Sequence, residues 1–218
     1  RAQGEPPRPL AAVRKLPPPV VSLRNENLKD WQLEPTRPDW AGGFRETWTP
    51  GEAGAHRRLH DFLDGAIKGY AEGRDFPGKD HASHLSPHLR FGEISPRQVF
   101  HAARFAAERH PALSRDIEKF LSELGWREFC RHLLFDHPDL HRRNLQSSFD
   151  DFPWRRDAKA LRAWQQGRTG YPIVDAGMRE LWHTGAMQNR IRMVTASFLV
   201  KHLLLDWRDG EKWFWDTL

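Results

Sequence analysis

Residues 170–210 read GYPIVDAGMRELWHTGAMQNRIRMVTASFLVKHLLLDWRDG, and the reading of this stretch decides the fold. From Met187 to Leu205 it contains neither Gly nor Pro, and Ile191, Val194, Phe198, Leu199 and Leu203 recur at helical spacing. That spacing predicts a helix with those residues turned to a core. Steps of three and four residues bring Asn189, Arg192, Met193 and Ala196 into register on another face. An amide, a guanidinium and a thioether sharing one face predict the wall of a cavity rather than a solvated surface.

Upstream, residues 117–135 (IEKFLSELGWREFCRHLLF) repeat the pattern. Leu121, Leu124, Phe129 and Leu133 are expected in the core. Glu123, Trp126, Arg127 and Cys130 fall on another face, with Cys130 read as a small buried residue. Taken alone, that face is a surface ion pair beside a packed indole. Thr49-Pro50-Gly51-Glu52 has the grammar of a capping box, and Leu59, Phe62, Leu63, Ala66, Ile67 and Tyr70 then trace one buried helical face. Ser86 is expected to cap a helix that begins at Pro87, and a hydroxyl beside the free N–H groups of a helix start suits an anion. Ser95-Pro96-Arg97-Gln98 opens the next helix, with Val99, Phe100 and Ala103 inward.

The rest of the composition bounds the class. The 218 residues carry 34 Lys and Arg against 29 Asp and Glu, a net charge of +5, which is compatible with a polyanionic partner and equally with a mixed soluble surface. The one cysteine, Cys130, rules out an internal disulfide and fits a reducing compartment. No apolar run approaches the roughly 18 residues of a membrane span, and no signal peptide is visible. A soluble, cytoplasmic protein is expected. Ten Trp and 13 Phe supply large apolar areas, most of them for packing. Residues 1–45 hold PPRPL, LPPPV, Pro35 and Pro38 without sustained periodicity and read as an extended interdomain linker, followed by one helical domain over residues 46–218. With no initial Met and an end directly after an aromatic run, the chain reads as part of a longer protein.

Three segments together carry a family resemblance: YAEGRDFPGKDHASHLSPHLRFGEISPRQ, ELGWREF, and GYPIVDAGMREL followed by NRIRM and ASFLVKHLLLDWRDGE. They resemble the helical flavin-binding domain of the DNA photolyase and cryptochrome family, most closely its microbial class I cyclobutane pyrimidine dimer photolyases. The resemblance implies an all-α fold, truncated at both ends. It implies reduced, non-covalent FAD as cofactor, with Tyr70, Ser83, His84, Leu85, Ser86, Arg127, Asn189 and Arg192 around it. It further implies that Glu123 and Met193 contact a flipped pyrimidine dimer, that Trp126 stacks on it, and that Arg74 and Arg190 hold the DNA. Trp154 and Trp207 would be the outer and middle steps of an electron relay. An antenna chromophore would belong to a preceding N-terminal domain, and no metal is implied.

The activity so implied is light-dependent repair: excited reduced FAD gives an electron to the dimer, the ring opens and the electron returns. A flipped base needs stacking and hydrogen bonding in a pocket, which suits the residue types at Trp126 and Glu123. A negative carboxylate would repel the dimer radical anion, so Glu123 is expected to be protonated or to share a proton. The chain departs from the family at Ala82 (usually Thr), Cys130 (Tyr), Ala186 (Trp) and Gln188 (His). The expected partner is UV-damaged DNA and the expected state a monomer without membrane contact. Two alternatives stay open: a cryptochrome-like blue-light photoreceptor with the same flavin pocket, and a non-catalytic basic DNA-binding module.

Overall fold

Helix follows helix along the chain, and the described residues hold ten α-helices and no strand. The computed structural model describes residues 4–13, 15, 17–18 and 26–218; the linker positions 1–3, 14, 16 and 19–25 lie outside them. The helices are α1 (Gly42–Thr47), α2 (Glu52–Asp61), α3 (Tyr70–Gly73), α4 (Ser86–Phe91), α5 (Pro96–Arg109), α6 (Ser114–Asp136), α7 (Ala158–Gln165), α8 (Pro172–Thr184), α9 (Asn189–Ser197) and α10 (Trp207–Thr217). Two π-helical segments, Phe62–Ala66 and Phe198–His202, extend α2 and α9. The stretch read as extended linker contains a 3-10 turn at Leu28–Trp31, and α1 crosses the position drawn as its end.

The apolar residues gather into two cores. The first joins α2 to α6 through Ala55, Leu59, Phe62, Ile67, Tyr70, Leu85, Ile94, Val99, Ala103, Ile117 and Phe120. The second joins α7 to α10 around fully buried Trp164, whose indole N–H donates to the Thr195 carbonyl at 3.0 Å. Each core obeys the helical period: Val99 and Ala103, or Ile191 and Phe198, lie one or two turns apart on a single face.

Some capping and burial expectations fail for identifiable reasons. Thr49 does not cap α2; Gly51 takes that place at φ +96°, and its N–H donates to Glu93 Oε1 at 2.7 Å. Ser86 is the first residue of α4 rather than its cap, so its side chain closes no N–H. Ser95 and Gln98 do form the reciprocal capping box. On α6 only the first half is covered: Ile117 and Phe120 are buried, whereas Phe129 is exposed and Cys130 is also at the surface. Val194, expected in the core, is 38% exposed because α9 turns Ile191 and Thr195 to α8 instead.

The two cores meet along a polar seam. Trp48, just after α1, donates its indole N–H to the Thr184 carbonyl at the end of α8 at 2.6 Å. Gly43 lies so close to His183 that any Cβ there would collide with the His183 carbonyl, so glycine is what lets α1 rest on α8.

Candidate functional site

The residues singled out on α3, α6 and α9 converge on this seam. Asp116, in the first turn of α6, accepts the N–H groups of Gly69 and Ala71 at 3.0 and 2.8 Å and so docks α3 against α6. Tyr70 packs edge-on against Phe62 and Phe120, and burial pushes its phenol up to about 12. One turn on, Arg74 lies over the Tyr70 ring and is ion-paired with Glu123. Its Nη1 is buried with that carboxylate as its close partner but without an aligned hydrogen bond.

Glu123 is held on both sides, by Arg74 and by Lys119 Nζ at 3.1 Å. Burial pushes its carboxyl upward, yet the two cations beside it prevail and leave it below the usual carboxylate range. The direction is opposite to the one expected for a protonated or proton-sharing Glu123, because two counter-charges stand beside it: Lys119, four residues earlier on α6 and so within reach of the helical spacing, and Arg74, which arrives from α3 and which that spacing does not reveal.

Asp75 continues the chain of charges. Arg190, at the start of α9, donates from Nε and Nη2 to its two carboxylate oxygens, each at 2.9 Å. This fork keeps Asp75 below, and Arg190 above, their ordinary values. Gln188 ties the same corner through its amide. Its Oε1 caps α9 by accepting the Ile191 N–H at 3.1 Å, and its Nε2 donates to the Arg74 carbonyl. Lys119 and Asp75 are thus members of the site that the sequence reading passed over, and Gln188, named there only as a departure from the family, is a third. Asp75 follows Arg74 directly in the quoted motif, so adjacency was the available signal.

The other expected residues lie around this corner or apart from it. Trp126 and Met193 are exposed, at 58% and 57%, one turn beyond Glu123 and Arg190 respectively. Asn189 is exposed with its amide 4.0 Å from Met193 Sδ, and Arg192 donates to the Met187 carbonyl at 3.3 Å. Arg127 reaches Glu128 at 3.1 Å and the Leu89 carbonyl at 3.4 Å. Ser83 and His84 line a polar cleft of about 400 Å³ with Arg57, Arg58 and His88, and the carboxylates of Asp61 and Asp80 share the same lining. Leu85 is buried, and His84 bonds Asp80 at 2.8 Å.

A second, apolar cleft of about 600 Å³ lies between the end of α9 and α10, lined by Ala196, Leu199, Trp207, Phe214 and others. Neither cleft is lined by Glu123, Trp126, Asn189 or Met193; of the α9 face expected to wall a cavity, Ala196 alone lines one of the two, the apolar cleft. Trp207 donates to Asn144 Oδ1 at 2.7 Å. The residue after Trp154 is joined to the α9–α10 connection, with the Arg155 N–H on the Leu204 carbonyl at 2.8 Å. A parallel-stacked Trp182–Trp213 pair, 5.9 Å between centroids, was not foreseen.

The donor set suits a dinucleotide diphosphate. Among the described residues the Ser83 and Ser86 hydroxyls make no hydrogen bond that would occupy them, and Ser83 opens onto the polar cleft beside Arg57 and Arg58. Hydroxyls and guanidinium groups are the partners that phosphate oxygens require. No group of three or more metal-ligating side chains occurs among the described residues, and no described helix is long and apolar enough to cross a membrane.

Comparison with known proteins identifies the family. Residues 120–218 match the family described as the FAD binding domain of DNA photolyase. A deoxyribodipyrimidine photo-lyase of Agrobacterium fabrum is 58% identical over 217 residues, covering all of this chain and 44% of the relative. Cryptochrome-1 of Arabidopsis thaliana is 46% identical over 176 residues, covering 78% of this chain and 26% of the relative. The crystal structure of a bacterial class III photolyase from Agrobacterium tumefaciens superposes with a TM-score of 0.88 at 60% identity, covering 92% of this chain and 41% of that one. That relative is class III, not the class I expected from the motifs. The chain spans less than half the length of these curated relatives.

Proposed function

Because the chain belongs to the DNA photolyase and cryptochrome family, we propose that the protein of which it forms part is a light-driven carbon–carbon lyase that repairs cyclobutane pyrimidine dimers in UV-damaged DNA. The observation that carries this reading is Glu123, ion-paired with Arg74, one turn of α6 before the exposed Trp126.

An ionised carboxylate only accepts hydrogen bonds, so Glu123 takes the N3–H of a flipped pyrimidine. Flanked by Arg74 and Lys119, it does so within a group whose net charge is +1, which removes the repulsion a lone carboxylate would exert on a negatively charged dimer. Trp126 offers an indole face for stacking, and Met193 an apolar contact from α9. Arg190 faces solvent and is the phosphate contact; Arg74, committed to Glu123, positions that carboxylate instead.

Reduced FAD, bound non-covalently and excited by light, supplies the electron that opens the cyclobutane ring. Ser83 and Ser86 hold its diphosphate, Arg127, Asn189 and Arg192 orient it, and Tyr70 fixes the floor of the site through the first core. Trp154 and Trp207, which flank segments joined by the Arg155–Leu204 bond, serve as the relay that keeps it reduced.

The test is cleavage of a dimer-containing oligonucleotide under blue light by the FAD-loaded full-length protein. Glu123→Ala should lower the repair yield per absorbed photon well beyond its effect on DNA affinity. Equal yields would remove the role of Glu123. The similarity to Arabidopsis cryptochrome favours a second reading, a photoreceptor using the same pocket; a coloured, photoreducible protein that leaves dimers intact would establish it. A full-length protein that stays colourless with FAD would point to a DNA-binding module.

A further inference from the structure

Arg190 is engaged before any DNA arrives. Its fork closes on Asp75 through two bonds of 2.9 Å, and both side chains are about half exposed, at 52% and 43%. A carboxylate offers a guanidinium the same pair of oxygens that a phosphate does. Around this corner three cations, Lys119, Arg74 and Arg190, face two carboxylates, Glu123 and Asp75. Glu123 is partly buried, its side chain 29% exposed, whereas Asp75 is the more exposed of the two carboxylates, next to the exposed Phe76.

We propose that Asp75 is an anion placeholder, a positioning residue that holds the Arg190 fork in phosphate-ready geometry and must be displaced by a DNA phosphate. The proposal rests on the reading above that this face binds DNA. An exposed ion pair contributes little to stability, so displacement is feasible, yet it opposes every phosphate that approaches. Because phosphate contacts read no sequence, Asp75 acts on intact and damaged duplex alike. It therefore limits how long the protein stays on intact DNA rather than which lesion it recognises.

Salt dependence exposes the role. When a phosphate takes Arg190 from Asp75, the freed carboxylate recruits a cation and offsets the counterion released from DNA. With Asp75→Asn that offset disappears. The plot of log affinity against log salt for an intact duplex, taken by fluorescence anisotropy between roughly 50 and 200 mM salt, should steepen by about 0.9. Affinity at the low-salt end should rise roughly three- to tenfold. Asp75→Ser should behave likewise, and Asp75→Glu, which keeps the charge, should retain the wild-type slope. Neutral variants with unchanged melting temperature that bind intact duplex no more tightly, at an unchanged slope, would overturn the placeholder. A steepened slope for Asp75→Glu would do the same. A wild-type protein that binds no duplex at any of these salts would instead remove the DNA-binding reading itself, and the placeholder with it.

Discussion

Replacing Asp175 by Asn tests how the loop before α8 is held. The side chain of Asp175, 7% exposed in the first turn of α8, accepts three hydrogen bonds: Thr169 N–H at 2.7 Å and Thr169 Oγ1–H at 2.6 Å on one oxygen, and Gly170 N–H at 2.9 Å on the other. An Asn can keep the two bonds from Thr169, but its amide nitrogen then faces the Gly170 N–H, donor against donor. One unsatisfied N–H costs about 1–3 kcal/mol, and the two surviving bonds lose their charge assistance. The expected total is about 2–4 kcal/mol, or a melting temperature lower by roughly 5–12 °C at this chain length. Burial pushes the Asp175 carboxyl upward, but its hydrogen bonds and the nearby Arg179 charge prevail and depress it. A group depressed in the folded state stabilises fully above its unfolded value, about pH 3.9, and loses that contribution as pH falls through the folded value. Urea unfolding followed by Trp fluorescence should therefore show a wild-type advantage at neutral pH that closes in acid. A variant within about 0.5 kcal/mol of wild type at neutral pH, or a gap that persists unchanged into strong acid, would refute the reasoning.

Trp164→Phe removes the fully buried indole and its bond to the Thr195 carbonyl, and should cost about 2–3 kcal/mol by chemical denaturation. Gly177→Ala places a Cβ against Ile191 Cγ2 where α8 crosses α9; the resulting shift should cost about 1–3 kcal/mol and lower the melting temperature. Arg74→Ala strips Glu123 of its first counter-charge while leaving it half-buried, so the Glu123 carboxyl should titrate at higher pH than in wild type, read from its side-chain carbon resonance by NMR.

Periodicity told which residues share a face, and it told this well where a second element covers that face. Ile191, Phe198 and Leu199 are buried because α8 and α10 lie over them. Phe129 obeys the same period on α6 but sits past the point where packing ends, so its expected burial fails although its helix does not. Capping depended on similar local competition: Ser95 finds its N–H, while Ser86 is drawn inside the helix it was meant to close. Glu123, Trp126, Asn189 and Met193 were legible as site candidates from residue type and motif. The charge state of Glu123 was legible only in part, because Lys119 lies four residues before it on α6 whereas Arg74 reaches it from α3. Asp75 and Arg190 are 115 positions apart in the chain, and no local pattern records their meeting.

The seam where these groups meet explains one departure from the family pattern. Apolar contacts would let the two cores slide; two of the joining bonds here run to fixed backbone carbonyls, Thr184 for Trp48 and Arg74 for Gln188. The demand on position 188 is then chemical rather than one of identity. The side chain must accept the Ile191 N–H to cap α9 and at the same time donate to the Arg74 carbonyl. A glutamine amide provides both functions, and so does a neutral histidine, with one acceptor and one donor nitrogen. An acid would lack the donor and an alanine both, so Gln188 stands in for histidine without loosening the corner that holds Arg74 against Glu123.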